Sequence, residues 1–272
     1  MFWESVRKAQ KENDSLLCIG LDPVPDRIPD FLKMTDEYVF GFNKTIIDNT
    51  RDLVCAYKPN LAYYLALGNQ GLRALTRTIE YIGKSVPVIL DAKFGDVSHS
   101  NIQYARTSFE TLGADAVTVS PYVGFESLEP FLEYSEKGVI VLCLTSNPGY
   151  MEFQNRISGH LKLYEQVATS AEENWKKRGN VGIVVGATHP EDAELVRKRA
   201  PSVPFLMPGV GAQGGNLERS VNIGTTVNGY PPIVVSGRSI IYAGSDKNFG
   251  DDARQKAIET KKRINLAKKP QS

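Results

Sequence analysis

The strongest constraint on this chain is a recurrence: eight short apolar runs, each followed by small or polar residues and then by a helical pattern. The runs are Leu16 to Leu21, Val54 to Tyr57, Val86 to Leu90, Ala116 to Val119, Val139 to Leu144, Val181 to Val185, Pro204 to Met207 and Ile233 to Val235. Between them, segments such as Thr35 to Arg51, Gln70 to Gly83, Asn101 to Leu112 and Leu161 to Lys177 place apolar residues three and four apart. Strand and helix alternating in this way build a parallel sheet. Eight strands with helical returns predict closure into a (β/α)8 TIM barrel rather than an open sheet. The 272 residues fit one such barrel, so a single domain over 1–272 is expected.

Composition narrows the function classes. A net charge of +1 provides no overall field toward nucleic acid or an anionic membrane, so neither is expected as a partner. No apolar run is long enough to cross a bilayer. The segment Met1 to Asn13 carries charges throughout and lacks the apolar region of a secretory signal, which makes the cytoplasm the expected location. Cys18, Cys55 and Cys143 each sit in a strand-like run, where a free thiol behaves as a small buried hydrophobe. Asp251 to Lys269 reads as a solvated surface helix, with Asp251 and Asp252 at its start and Lys268 and Lys269 at its end, as the helix dipole favours.

In a parallel barrel the active site forms at the C-terminal ends of the strands. Those ends are polar here. The first run ends in Leu21-Asp22-Pro23, the second in Tyr57-Lys58-Pro59-Asn60, and the third in Leu90-Asp91-Ala92-Lys93-Phe94-Gly95-Asp96. Strand alternation points Asp91 and Lys93 to one face and Ala92 to the other. Gly95 is expected to let the chain bend after Phe94 and turn Asp96 outward, to a second site or a neighbouring subunit. Any one of these residues alone would only solvate a loop. Asp22, Lys58, Asp91 and Lys93 together put alternating charges from three successive strands into one mouth, an arrangement that is costly without a function.

The remaining strand ends point to an anionic, planar ligand. Thr145-Ser146-Asn147-Pro148-Gly149 offers hydroxyls and an amide to a polar ring. Pro208-Gly209-Val210-Gly211-Ala212-Gln213-Gly214-Gly215 follows strand seven, and Ser236-Gly237-Arg238-Ser239 ends strand eight. These are the positions where barrels bind phosphate, with glycine amides close to the oxyanion and Arg238 as a planar fork. His99, His160 and His189 match no zinc spacing and are expected in loops or on the surface. No metal or organic cofactor is expected.

Taken together, these motifs resemble the orotidine 5′-monophosphate decarboxylase family, specifically its larger bacterial branch, over Leu16 to about Ile241. The Asp-x-Lys-x-x-Asp pattern belongs to a wider suprafamily; Leu-Asp-Pro, Lys-Pro-Asn, Thr-Ser-Asn-Pro-Gly, Pro-Gly-Val-Gly-Ala-Gln-Gly-Gly and Gly-Arg-Ser narrow it. The resemblance implies that Lys93 protonates C6 of the pyrimidine, while Asp91 sits beside the departing carboxylate and aligns Lys93 with Lys58. It implies that Asp22 and Lys58 bind ribose hydroxyls, and that Asp96 and Ser100 reach the partner's site across a homodimer. It further implies that Ser146 hydrogen-bonds the pyrimidine ring, that Pro208 is among the substrate-binding residues, that Gln213 links phosphate and base, and that Gly237 and Arg238 take the phosphate. Ser100 stands where family members often carry threonine, and keeps the hydroxyl. Two alternatives stay open at this point: a magnesium-dependent sugar-phosphate decarboxylase or aldolase of the same suprafamily, and an inert nucleotide-binding barrel. A phosphate contact from Tyr230 is a further possibility of the loop before strand eight.

Overall fold

A computed structural model describes residues 1–209 and 217–268. Eight parallel strands, β1 Leu17–Leu21, β2 Ala56–Pro59, β3 Ile89–Phe94, β4 Ala116–Val119, β5 Gly138–Leu144, β6 Asn180–Val185, β7 Phe205–Met207 and β8 Ile233–Ser236, lie in the order β2-β1-β8-β7-β6-β5-β4-β3. The two ends of that order meet. Tyr57 bridges Val88, Asn60 bridges Asp91, and the Tyr57 amide donates to the Pro87 carbonyl at 3.0 Å. The sheet is thus closed into the expected (β/α)8 barrel.

Strands buried on both faces explain why the runs could be read at all. Every residue of β1, β2, β4, β7 and β8 is buried, because one face fills the barrel and the other meets the helices. Seven of the eight observed strands match the expected runs to within two residues at either end. The third departs. It was expected to stop at Leu90 and instead continues to Phe94, so Asp91, Ala92 and Lys93 belong to the strand.

The helices are α1 Phe2–Glu12, α2 Tyr38–Thr50, α3 Leu61–Leu65, α4 Gly68–Ile82, α5 Ser98–Arg106, α6 Glu129–Leu132, α7 Leu163–Glu173, α8 Pro190–Arg199, α9 Leu217–Gly224, α10 Arg238–Ile241 and α11 Phe249–Leu266. The helix expected over Leu161 to Lys177 begins two residues late, because Leu161 and Lys162 pair with Ile157 and Ser158 in a small antiparallel ribbon. Among the described residues, no helix is long and apolar enough to cross a membrane. The three cysteines are free and buried, as expected.

The lower mouth of the barrel is closed by α1. Its apolar residues Phe2, Trp3, Val6 and Ala9 are buried, a face that the charges of this segment obscured. Phe2 and Trp3 sit so close to β5 and β6 that a Cβ on Gly138 would lie 2.4 Å from the Phe2 ring, and one on Gly182 would lie 2.3 Å from Trp3. The Phe2 amide donates to Glu136 O at 3.1 Å and Gln10 Nε2 to Pro232 O at 3.2 Å, which ties the plug to the chain just before β5 and β8.

Candidate active site

The upper mouth is built around β3. Two residues outside glycine have positive φ among the described residues, and one of them is Lys93 at φ 54°. A left-handed backbone at a lysine costs about 1–3 kcal/mol and persists only where its surroundings enforce it. Simple alternation along the strand was therefore an incomplete reason for expecting Asp91 and Lys93 on one face. They do meet, but through a local irregularity: β3 pairs with β4 at Ile89–Ala116 and Leu90–Val117, then resumes only at Phe94–Val119.

The charges form a chain of contacts. Lys58 Nζ donates to Asp91 Oδ2 at 2.5 Å, and Lys93 Nζ donates to Asp91 Oδ1 at 2.5 Å. Thr118 Oγ1 donates to the same Oδ1 at 3.0 Å. Asp91 and Lys58 are buried, whereas the Lys93 side chain is 46% exposed and faces the open mouth. Asp22, half-buried, completes the array with a buried Oδ1 that has no partner among the described residues. Its backbone carbonyl accepts from Tyr242 Oη at 3.1 Å.

Electrostatics separate these groups. Burial works to raise the Asp91 pKa, but attraction from Lys58 and Lys93 and their hydrogen bonds outweigh it and hold the carboxyl at about 2. Burial likewise disfavours the Lys58 ammonium, yet Asp91 and then Asp22 overcome it and raise its pKa. For Asp22 burial wins, and its pKa rises despite the opposing attraction of Lys58. The mouth thus keeps Asp91 and Lys58 charged and leaves Asp22 with an unpaired oxygen that would accept a hydroxyl proton.

Ser146 sits between the ends of β6 and β7. A Cβ on Gly186 would come within 2.8 Å of the Ser146 amide nitrogen, and one on Gly209, at φ 93°, within 3.4 Å of Ser146 Cβ. Thr188 Oγ1 also donates to Ser146 O at 3.2 Å. Pro208 accepts from the Ala187 amide at 3.1 Å, which places it beside the same corner. Gly237 packs on Gly20 and Asp22, and Arg238, exposed, contributes attraction at Asp22. Gln213 lies outside the described residues, as does the rest of 210–216.

Asp96 is not joined to its own chain's lysines. Its Oδ1 accepts the Val97 amide at 2.7 Å, and among the described residues it forms no ion pair. Buried Asn101 holds it from behind, donating to Asp96 O at 2.7 Å and to Ser127 O at 2.6 Å. Ser100 lies in the first turn of α5, half-buried. Gly95 is the first residue after β3, and it does not take a positive φ; a Cβ there would meet Ser120 Cβ at 2.7 Å. Its small size permits close packing of β3 on β4, while the backbone turn falls at Lys93.

The remaining expectations resolve by position. His99 and His160 are exposed, and His189, half-buried, packs its ring against that of Tyr150 at a tilt, with centroids 4.3 Å apart. Tyr230 precedes β8, so it belongs to the lower end of the barrel, where the Arg7 guanidinium of α1 lies 4.5 Å from its ring. It is remote from the phosphate positions after β8. Among the described residues no group of three His, Cys, Asp or Glu is placed to hold a metal ion. Thr118 and Asn101 escaped the sequence reading; the available signal was a single hydroxyl in the otherwise apolar run Ala116 to Val119.

Comparison with known proteins gives a consistent result. Residues 15–251 match the family model described as orotidine 5'-phosphate decarboxylase / HUMPS family. The orotidine 5'-phosphate decarboxylase of Thermomicrobium roseum is 48% identical over 270 residues, covering 98% of this chain and 96% of that one. That of Dechloromonas aromatica is 47% identical over 266 residues, covering 97% and 98%. Among solved structures, Leishmania donovani OMP decarboxylase superposes with a TM-score of 0.86 at 37% identity, covering 98% of each chain. With a match across most of its length and relatives at nearly half identity, the chain belongs to the orotidine 5'-phosphate decarboxylase / HUMPS family.

Proposed function

We propose that this chain, as one barrel domain, converts orotidine 5′-monophosphate to uridine 5′-monophosphate and carbon dioxide without a metal or organic cofactor. The observation that carries this reading is the contact chain Lys58–Asp91–Lys93 at a barrel mouth, in a chain whose relatives are orotidine 5'-phosphate decarboxylases. The bond from C6 to the carboxylate breaks, its electron pair stays on C6, and the Lys93 ammonium delivers a proton there. No neighbouring electron sink exists, so the ammonium stabilises the carbanion before it protonates it.

Magnitudes decide which effect leads. Repulsion between Asp91 and the substrate carboxylate is worth about 4 kcal/mol at roughly 4 Å and an effective dielectric near 20. Enzymes supply about 8–23 kcal/mol. Stabilisation of the carbanion by a preorganised Lys93 therefore carries more of the barrier than ground-state repulsion. Asp22 and Lys58 take ribose hydroxyls, Ser146 and Pro208 border the pyrimidine, and Gly237 with Arg238 takes the phosphate. Gln213, outside the described residues, is assigned the link between phosphate and base, so that binding energy far from C6 holds the charged site in its reactive form.

The working unit in this reading is a homodimer in the cytoplasm, with Asp96 and Ser100 completing the partner's site. Supporting it, exposed apolar residues occur next to Asp96 in sequence, on α5 and on the loop after β4: Val97, Ile102, Tyr122 and Val123. Three free buried thiols suit a reducing compartment.

The test is ultraviolet absorbance of orotidine 5′-monophosphate with purified protein and excess EDTA, alongside Lys93→Ala. Turnover that survives EDTA and vanishes in the variant is expected. Absence of any turnover of orotidine 5′-monophosphate would overturn this reading in favour of a metal-dependent sugar-phosphate enzyme, although Lys58 puts a cation where such a metal would need an anion.

A further inference from the structure

Between its two regular pairings, β3 has three residues, Asp91, Ala92 and Lys93, where β4 has Thr118 alone. A bulge of this size removes ladder partners from the strand that carries it. The Lys93 amide, turned by its left-handed φ, donates instead to Thr118 Oγ1 at 3.0 Å. The same hydroxyl donates a hydrogen bond to Asp91 Oδ1 at 3.0 Å. Thr118 is 1% exposed, and Ala116, Val117 and Val119 around it in the strand are apolar. A valine would have the same shape there, so the hydroxyl is what distinguishes the position. Burying it without partners would be unfavourable; its partners are the two groups that the reaction needs aligned.

We propose that Thr118 is a positioning residue: its single hydroxyl fixes the backbone turn that aims Lys93 and the carboxylate orientation that holds the Lys93 ammonium. The ladder resumes immediately afterwards, with the Ser120 amide on Phe94 O at 2.6 Å, so the irregularity is confined to the segment this hydroxyl bridges. Without it, the Lys93 amide loses its acceptor and the turn loses the bond that opposes its strain.

The kinetic part of the test rests on the decarboxylase reading; the structural part does not. Thr118→Val and Thr118→Ser are compared with the parent protein for kcat and KM on orotidine 5′-monophosphate, for melting, and for hydrogen exchange of the peptide spanning Leu90 to Asp96. Thr118→Val is expected to lower kcat about 10- to 100-fold, as one hydrogen bond to a charged group is worth, while KM changes far less. Exchange at Lys93 accelerates in the same variant, and Thr118→Ser, which keeps the hydroxyl and loses the methyl, restores both. Parent-like kcat and exchange in Thr118→Val would overturn the proposal, as would equal impairment of the serine variant. If Thr118→Val does not fold, the serine variant decides alone. If the parent shows no turnover, the decarboxylase reading falls while the exchange comparison still tests the hold on Lys93.

Discussion

The two mouths of this barrel use the same eight strands for opposite ends. Below, α1 lays Phe2 and Trp3 onto Gly138 and Gly182, and close apolar packing seals the barrel. Above, β3 breaks its pairing, strains one lysine and gathers Lys58 and Lys93 on the carboxylate of Asp91, with Asp22 close to Lys58. The lower mouth is optimised for stability and the upper one carries stored strain. That contrast implies that substitutions at the two ends affect different quantities, and it can be broken by any variant that moves both.

The largest expected effect is at Lys93. Lys93→Gly removes the ammonium and relieves the left-handed strain, so turnover is expected to fall by about 10⁴-fold or more while the melting temperature holds or rises. Paired absorbance and calorimetry check this; a marked loss of stability would mean that Lys93 holds the mouth together. Next is Trp3→Ala, which empties the plug and is expected to cost about 3–5 kcal/mol in denaturant unfolding with kcat per folded molecule unchanged. A lowered kcat there would show that the two mouths are coupled.

Asp91 sharpens the contrast through pH. Its carboxyl lies at about 2, below the ordinary 3.8, so its stabilising contribution is present above about pH 4 and is lost as pH falls through about 2. The shift corresponds to about 2 kcal/mol. Asp22, raised by burial, works with the opposite sign, its contribution present at low pH and lost as pH rises through its folded value. Urea unfolding of the parent and Asp91→Asn between pH 4 and pH 2 should show a steeper loss for the parent; identical slopes would remove Asp91 from the acid response. The smallest effect is expected at Tyr230→Ala, worth about 0.5–1 kcal/mol through its stack on Arg7, with KM unchanged. A raised KM would place that residue at the phosphate after all.

Legibility followed burial. Strands covered on both faces appear as continuous apolar runs, so their order and number could be read residue by residue. The end of β3 was misread for the same reason: Asp91 and Lys93 look like the start of a loop, although Asp91 bridges Asn60 and pairing resumes beyond Lys93 at Phe94–Val119. The family match begins at residue 15, after α1, and the charges of that helix hid four buried positions on one face.

The sequence by itself determined the eight-strand parallel barrel and the set of charged residues at its mouth, because strand periodicity and charge are properties of neighbours along the chain. Only the tertiary structure decided that Lys93 turns left-handed, that Gly95 is small for the sake of Ser120, and that Thr118 joins the amide of Lys93 to the carboxylate of Asp91. Each of those depends on contact between strands about 25 residues apart in sequence, and hydrogen-bond geometry across a bulge has no local signature.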